Sequence, residues 1–296
     1  MEVKVKLRDN FVVFILTHGR PNKVKTFDTI RSSGYTGKII LLLDNEDDTV
    51  DEYRHKFSEL NNTIVYVFDK LHIAETYDAV DLCDDRRTIF YARNACFEVA
   101  KSLGYRYFLE LDDDYTLFRS RVNDNGKFST IVHKDLDSLF EIFLQFLDDS
   151  GANTVALSQT GDFLGGINSA IWQKQITRKA MNSFFCDTEK AFEFIGRINE
   201  DVNTYVSQGM KGKLFFTIAK ASLDQICTQS NSGGMTDVYL ECGTYVKSFF
   251  SVIVAPSCVK VAEMGHSHKR LHHLINWENA VPKIISSSFK KNKGGY

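Results

Sequence analysis

The stretch YFLELDDDYTLF, residues 107–118, joins a run of apolar side chains to three consecutive aspartates, Asp112, Asp113 and Asp114. The apolar part is typical of a strand that is buried on both faces, which indicates a central position in a sheet. Adjacent carboxylates repel one another, and burying them is costly unless a partner compensates for their charge. A metal ion, a neighbouring Lys or Arg, or water in a solvated turn are the candidates for that partner.

Three further apolar runs precede this stretch, and each ends in polar or acidic residues. They are FVVFILT (11–17), which is followed by HGRPN, then KIILLLDNEDDT (38–49) and TIVYVFDK (63–70). Helices are predicted over Lys23–Ser33 and over residues 88–104. The resulting order predicts an α/β fold with a Rossmann-type, mostly parallel sheet and helices on both faces.

The second half of the chain has a less regular pattern. Helices are predicted over Asp135–Asp149, from near Glu200, and within residues 236–253. Strands are predicted in NTVALSQ (153–159), in FEFIG (192–196) and in KLFFTIAKASLDQ (213–225). No clear linker separates the halves, so we expect one domain over residues 1–296 with a loop-rich second half.

Composition and charge restrict the class of protein. The 296 residues are 43% hydrophobic and 25% charged, which is an ordinary globular composition. A net charge of -2 argues weakly against a protein that coats nucleic acid through bulk charge, although a local basic groove is compatible with it. No signal-like or membrane-spanning apolar run occurs, so we expect a cytoplasmic protein without membrane association. The 6 cysteines form no CxxC pair, which favours reduced thiols over a structural zinc site.

Polar residues at the carboxyl ends of parallel strands share one edge of the sheet, where ligands of α/β proteins bind. Asp112 and Asp114 are separated by one residue and can hold Mg²⁺ or Mn²⁺ together with phosphate oxygens. Strand alternation turns Asp113 away from this pair, where it could support the site or contact a ligand. The alternative for all three is a solvated turn.

A second acidic group, Asn199-Glu200-Asp201, stands at the predicted start of a helix. Asp201 or Glu200 is a candidate general base that removes a proton from an acceptor hydroxyl. The alternative is an N-cap followed by first-turn acids, which the helix dipole favours.

Histidines are concentrated near the carboxyl end of the chain. His266 and His268 share one face of an extended segment and are candidate metal ligands. Lys269 and Arg270 follow and are candidates to bind a diphosphate. The alternative is a basic surface loop.

Other residues at the predicted sheet edge are candidates to contact a nucleotide, each with an ordinary structural alternative such as a strand end or an exposed side chain. They are Thr17, Gly19 and Arg20 of the THGRP loop, Asp44, and Arg93 with Asn94 on the helix before the aspartates.

The sequence resembles nucleotide-sugar glycosyltransferases of GT-A fold in FVVFILTHGRP, the strand end at Asp44, ARN at 92–94, LDDD at 111–114, NED at 199–201 and the late HSH. The resemblance implies that Asp112 and Asp114 bind Mn²⁺ or Mg²⁺ and the donor diphosphate. It further implies that Asp201 is the base and that His266 or His268 completes the metal site. Residues 1–118 would bind the nucleotide sugar, and residues 119–296 would hold the acceptor and catalytic groups.

More narrowly, the THGRP start, the FLELDDDY strand and the NEDVNTY helix are similar to the TET-associated glycosyltransferase group. That group occurs largely in bacteriophages and is implicated in adding sugars to hydroxymethylated pyrimidines in DNA. The resemblance implies double-stranded DNA with 5-hydroxymethylcytosine as acceptor, and a glucosyl or arabinosyl transfer. A duplex acceptor would need its target base flipped out of the stack. No obligate protein partner is evident from the sequence, and for a phage protein we expect a location in the host cytoplasm.

The sequence therefore predicts a metal-dependent, inverting glycosyltransferase that uses a UDP-sugar. A glycosyltransferase acting on a surface glycan or a protein is one alternative. A nucleotidyltransferase, which also uses paired aspartates, and a catalytically inactive nucleotide-binding protein are the others. Donor analysis separates them, because a nucleotidyltransferase releases pyrophosphate and an inactive protein releases no UDP.

Overall fold

The computed structural model describes residues 5–226, 235–243, 245–265 and 269–283, with the backbone alone at Thr236 and Asp237. Four predicted strands lie side by side and run in parallel, in the order β3-β2-β1-β4. They are β1 (Phe11–Leu16), β2 (Lys38–Asp44), β3 (Thr63–Phe68) and β4 (Tyr107–Asp112). The helices that connect them are α1 (Lys25–Ser32), α2 (Val50–Phe57), α3 (Lys70–Thr76) and α4 (Phe90–Ser102).

The helices cover both faces of these strands, which explains why the strand sequences are continuously apolar. On β1, Phe11, Val13 and Ile15 pack on one face with α1 and α2. Val12, Phe14 and Leu16 pack on the other face with α4. Because β1 lies between β2 and β4, the strand order reverses at β1. In open α/β sheets the crevice at such a reversal is the usual ligand site, and here it places the end of β1 beside the end of β4.

Six more strands extend the same sheet in the order β4-β9-β7-β10-β5-β6, with β8 paired to β10. They are β5 (Tyr115–Asp124), β6 (Lys127–Val132), β7 (Thr154–Gln159), β8 (Ile176–Thr177), β9 (Ser183–Asp187) and β10 (Phe215–Gln225). Strands β5, β8 and β9 run against the others, so most strands share one direction. The predicted α/β class is confirmed.

The remaining elements lie outside the main sheet. The helices are α5 (Leu136–Ser150), α6 (Ala170–Lys174), α7 (Glu200–Met210), α8 (Met235–Cys242) and α9 (Val246–Val254). A separate hairpin pairs β11 (Val259–Met264) with β12 (Arg270–Ile275) and packs against α9. Within the described ranges, no helix has both the length and the apolar character needed to cross a membrane.

Two features of the fold differ from the expectations. The predicted strand at residues 192–196 is irregular chain, because Phe192 and Phe194 are buried by packing on aromatic neighbours without any strand ladder. Helices α2 and α3 had not been predicted. In the chain, α2 lies between β2 and β3, and α3 lies between β3 and α4, which is the long helix that was predicted.

Gly34 is the residue that fixes how α1 ends. Its φ is +87°, a left-handed conformation that favours glycine. A Cβ at this position would lie 2.2 Å from the carbonyl oxygen of Lys134, so the backbone before α5 approaches too closely for any side chain. This contact joins α1 to the start of the α5 segment.

Candidate active site

The three aspartates at the carboxyl end of β4, Asp112 to Asp114, are here called the acidic triplet and face three different environments. Asp113 is buried and turns towards β1, where the Thr17 hydroxyl donates to its Oδ2 at 2.7 Å and Arg20 Nη2 lies 3.1 Å away. Burial raises the pKa of Asp113, and Arg20 and Thr17 oppose that effect. Asp113 therefore ties the β1 loop to the end of β4.

The THGRP loop is held by further bonds to neighbouring chain segments. The backbone N–H of Gly19, whose φ is +66°, donates to Asp47 Oδ2 at 2.8 Å. The N–H of Arg20 donates to the Tyr53 hydroxyl at 2.9 Å, and that hydroxyl also contacts Thr17 Oγ1 at 2.8 Å. The loop is thus pre-shaped, with the Arg20 guanidinium beside the acidic triplet.

Asp114 is the triplet residue with the least compensation. Its Oδ1 is buried and has no hydrogen-bond partner among the residues that the structure describes. Burial, followed by the neighbouring carboxylates of Asp112 and Asp113, raises its pKa to about 7. An oxygen that is buried, carries two free lone pairs and lies next to other carboxylates is a suitable ligand for a divalent cation.

Arg93 of α4 connects the triplet to the second acidic group. Its Nη2 lies 3.1 Å from Asp112 Oδ1, and its Nε lies 3.1 Å from Glu200 Oε1. A third carboxylate, Glu110 Oε2, lies 3.5 Å from Nη1, and the guanidinium stacks 4.8 Å above the Phe184 ring. We call Arg93 with these three carboxylates the Arg93 cluster. It brings together two motifs that are far apart in the sequence.

Arg93 is only 2% exposed, so it is not the exposed arginine that was the structural alternative, and its predicted contact with a nucleotide stays a prediction. Asn94 was expected to meet a nucleotide, but it is fully buried and its amide bonds the backbone of Phe90 and Phe194. Its placement does not support the expected contact, because its side-chain groups are already used to hold the chain after β9.

Glu110 was missed by the sequence reasoning. It lies on the α4 face of β4, two residues before Asp112, and is completely buried. Burial raises its pKa to about 8, with Arg93 acting in the opposite direction. The signal that was available is a single acid inside an otherwise apolar strand.

Glu200 and Asp201 form the first turn of α7, as predicted. Burial and the neighbouring Asp201 raise the pKa of Glu200 to about 7. Burial also raises the pKa of Asp201, whose Oδ1 accepts the backbone N–H of Val202 at 2.7 Å. In the described part of the chain no Lys or Arg lies within ion-pair distance of Asp201, so its carboxylate is the less engaged of the two.

The turn before α7 is held by the carboxyl-terminal elements. Asn199 has φ of 59°, and its Nδ2 donates to Ser251 Oγ of α9 at 2.6 Å. His273 of β12 lies 3.5 Å from the same Nδ2, and burial lowers its pKa to about 4. The hairpin therefore reaches the acidic turn through His273, a histidine that was not among the candidate ligands.

The end of β2 carries a second buried ion pair. Asp44 Oδ2 lies 2.8 Å from His18 Nδ1, and Asp44 Oδ1 lies 3.3 Å from Lys70 Nζ. Although burial acts to raise it, these partners hold the pKa of Asp44 below its ordinary value. Both Asp44 oxygens are occupied, whereas the half-exposed ring of His18 faces solvent at this strand end.

The remaining candidates are less closely tied to the triplet. Lys269 pairs with Glu263 of the same hairpin at 2.7 Å, and Arg270 begins β12 with an exposed side chain. His266 and His268 lie outside the described residues. Among the residues that are described, no group of three or more His, Cys, Asp or Glu side chains is arranged to hold a metal ion.

The sequence matches the family described as TET-Associated Glycosyltransferase over residues 11–234. The chain belongs to the TET-associated glycosyltransferase family. The match spans β1, the acidic triplet, the Arg93 cluster and α7, which are the elements that form the candidate site. The family is named for glycosyltransferase activity, the transfer of a sugar from a donor to an acceptor.

Comparison with curated proteins gives no match. Among solved structures, the crystal structure of S. aureus TarS 1-349 is similar with a TM-score of 0.44 and 10% sequence identity. That similarity covers 82% of this chain and 64% of the TarS chain, so this chain spans less than two thirds of TarS.

Proposed function

We propose that this family member is a metal-dependent glycosyltransferase that moves a sugar from a UDP-sugar to the 5-hydroxymethyl group of cytosine in DNA, as a glucosyl or arabinosyl transfer. The observation that carries the metal and donor assignment is the buried, unpartnered Oδ1 of Asp114 beside Asp112 at the end of β4. The DNA acceptor is supported by the family to which the chain belongs.

The residues present fit a Mg²⁺ or Mn²⁺ site of the two-carboxylate type. Asp114 offers a free buried oxygen, and Asp112 has one oxygen that Arg93 does not engage. Such cations are held in proteins by one or two carboxylates, with phosphate oxygens and water as the other ligands, so three protein ligands are not required. When bound, the cation stabilises the negative charge that develops on the departing diphosphate.

The donor is oriented by groups at the ends of β1 and β2. In this proposal Arg20, whose guanidinium pairs with Asp113, contacts the diphosphate. The backbone of the Thr17–Arg20 segment, which Asp47 and Tyr53 hold, and the exposed face of His18 contact the uridine. Asp44 supports this contact by positioning His18 and is itself less available to uracil or ribose than the sequence suggested.

The acceptor hydroxyl is deprotonated by Asp201. Burial raises the pKa of this carboxyl, which strengthens it as a base. Glu200, which is bonded to Arg93, holds the α7 turn at a fixed distance from the triplet. Direct attack of the deprotonated oxygen on the anomeric carbon, opposite the departing diphosphate, inverts the configuration of the sugar.

The test is a UDP-release screen across UDP-sugars, with and without duplex DNA that contains 5-hydroxymethylcytosine. The expected result is metal-dependent UDP release that rises when the DNA is added, together with a mass increase of one sugar on the DNA. Asp114→Asn should lower turnover by about 100-fold or more, since it removes charge stabilisation at the reacting phosphate. The matched control is Asp149→Asn, an exposed aspartate on α5, which should retain wild-type turnover.

Two results would contradict the proposal at different points. Full activity of Asp114→Asn would remove the metal assignment. Wild-type UDP release that no hydroxymethylated DNA stimulates, with every UDP-sugar tried, would remove the DNA acceptor and leave the donor assignment in place.

A further inference from the structure

A second buried arginine, Arg121 on β5, lies outside the site described above. Arg121 is 8% exposed, and its Nε and Nη2 are buried without hydrogen-bond partners in the described residues. No carboxylate within the described ranges lies at ion-pair distance from it. This is the reverse of Arg93, which three carboxylates surround.

The surroundings of Arg121 add positive charge and aromatic surface. Its guanidinium lies 4.1 Å from the centre of the Phe163 ring and 5.7 Å from that of Phe128. The nearest cation on the strand, Arg119, pairs with Asp224 at 2.7 Å, but its Nε is also buried without a partner among the described residues. We call these two residues the Arg119–Arg121 pair, which has two guanidinium groups for one contacting carboxylate.

An uncompensated buried cation disfavours its own charged form. Burial, and then the charge of Arg119, lower the pKa of Arg121, and Asp224 offsets this effect only in part. A planar guanidinium with free N–H groups is suited to phosphate and carboxylate anions. An anion at this position would supply the missing acceptors for both arginines.

The anion that would bind the Arg119–Arg121 pair is not the donor diphosphate, because Arg121 lies too far from the acidic triplet. Strand β5 begins at Tyr115, directly after the triplet, and Arg121 is six residues farther along it. An extended strand covers about 20 Å in that distance. At about 3.4 Å per base pair this corresponds to about six base pairs of duplex. A ligand that reaches both the triplet and Arg121 is therefore a polymer.

One of the two rings that contact Arg121 belongs to a short turn. Phe163 belongs to the 3-10 turn Thr160–Phe163, and the next residue, Leu164, is 81% exposed. Gly165 and Gly166 follow with φ of +95° and +64°, conformations that favour glycine. Displacement of this turn would remove the Phe163 ring from the Arg121 guanidinium and open that face to a ligand.

We propose that the Arg119–Arg121 pair is a phosphate subsite for the sugar–phosphate backbone of the DNA acceptor, about six base pairs from the base that receives the sugar. This inference rests on the DNA acceptor proposed above, and it gives that acceptor a defined contact outside the catalytic centre.

The experiment measures binding of the full-length protein to a fluorescent 30-base-pair duplex with one 5-hydroxymethylcytosine, by anisotropy over a range of salt concentrations. For Arg121→Met we expect about fivefold to tenfold weaker binding and a salt-dependence slope lower by about 0.9, as for the loss of one phosphate contact. Arg121→Lys keeps the charge and should keep the slope. Arg54→Met, at an exposed arginine on α2, is the matched control and should change neither quantity.

Two further measurements separate a phosphate contact from a role in folding. The Tm of Arg121→Met should equal or exceed that of the wild type, because the change replaces an uncompensated buried cation with an apolar side chain of similar length. UDP release without DNA, and transfer to a trinucleotide with a central 5-hydroxymethylcytosine, should be unchanged in this variant.

Three outcomes overturn the inference. If Arg121→Met binds the duplex with the same affinity and the same salt slope as the wild type, Arg121 makes no phosphate contact. In that case the proposed function stays intact as long as the wild type transfers sugar to the duplex. Equal losses on the duplex and the trinucleotide would show a general disturbance of the protein. If the wild type releases UDP but neither binds nor modifies the duplex, the DNA acceptor is wrong and the subsite is wrong with it.

Discussion

Replacing Glu110 by glutamine should change how the stability of this protein depends on pH. Glu110 is completely buried, and Arg93, its nearest cation, already has two closer carboxylates at 3.1 Å. Burial therefore dominates and raises the pKa of Glu110 from 4.5 to about 8. Glutamine has nearly the same shape as the protonated side chain but cannot ionise.

The sign of the effect follows from proton linkage. Because the folded pKa is above the unfolded one, the native state binds more protons between pH 4.5 and pH 8. The stability from this group is fully present below pH 4.5 and is lost as the pH rises through 8. The difference of 3.5 between 8 and 4.5, at about 1.36 kcal/mol per pKa unit, gives an upper bound of about 5 kcal/mol. About 3 kcal/mol of this falls between pH 5 and pH 8.

The assay is urea unfolding at several pH values from 5 to 8, with EDTA present so that no metal occupies the triplet. We expect the wild type to lose about 3 kcal/mol more than Glu110→Gln over this range. Glu59→Gln, at an exposed glutamate, is the control and should follow the wild type. Parallel curves for the wild type and Glu110→Gln would refute the reasoning, since they would show that Glu110 is ionised in the native state throughout.

Three further changes test individual contacts of the fold and the site. Gly34→Ala forces a side chain against the Lys134 carbonyl at positive φ, and we expect a loss of more than about 2 kcal/mol in urea unfolding. Asn94→Ala leaves buried backbone groups of Phe194 unpaired and should cost about 2–3 kcal/mol with no change in donor KM, whereas a nucleotide contact would raise that KM. Arg93→Met leaves buried carboxylates without their cation and should cost about 3–5 kcal/mol in thermal or urea unfolding, part of which Glu110→Gln should restore in the double variant.

The part of the site that could be predicted from sequence is the part set by local pattern. Apolar runs that end in polar or acidic residues predicted the four strands β1 to β4. They also predicted the position of Asp112–Asp114, because parallel strands place their carboxyl ends at one edge. The start of α7 at Glu200 was predicted in the same way, from a polar turn before an amphipathic segment. The assignment of Asp114 to a metal remains a prediction.

The part that could not be predicted depends on which distant side chains meet. Nothing local in YARN indicates that Arg93 lies among three carboxylates contributed by β4 and α7. The antiparallel strand β9, inserted between β4 and β7, is one of the elements that create this contact, because it carries Phe184 against the Arg93 guanidinium. Pairings of this kind are set by tertiary packing and leave no periodic signal in the sequence.

The surroundings of Arg93 and Arg121 also show why the net charge of -2 is a poor guide to the acceptor. Directly before β5, three adjacent carboxyl groups lie together and Asp114 Oδ1 has no hydrogen-bond partner in the described residues, an arrangement that suits a divalent cation. Farther along β5, the two guanidinium groups of Arg119 and Arg121 have one contacting carboxylate, Asp224. This part of the strand therefore has an excess of positive charge that suits an anion. The net charge of -2 sums 36 basic and 38 acidic residues and does not record where they lie, whereas these two sites lie about 20 Å apart along one strand. Nucleic-acid binding is governed by that local distribution and not by the sum, so a near-neutral composition is compatible with a DNA acceptor.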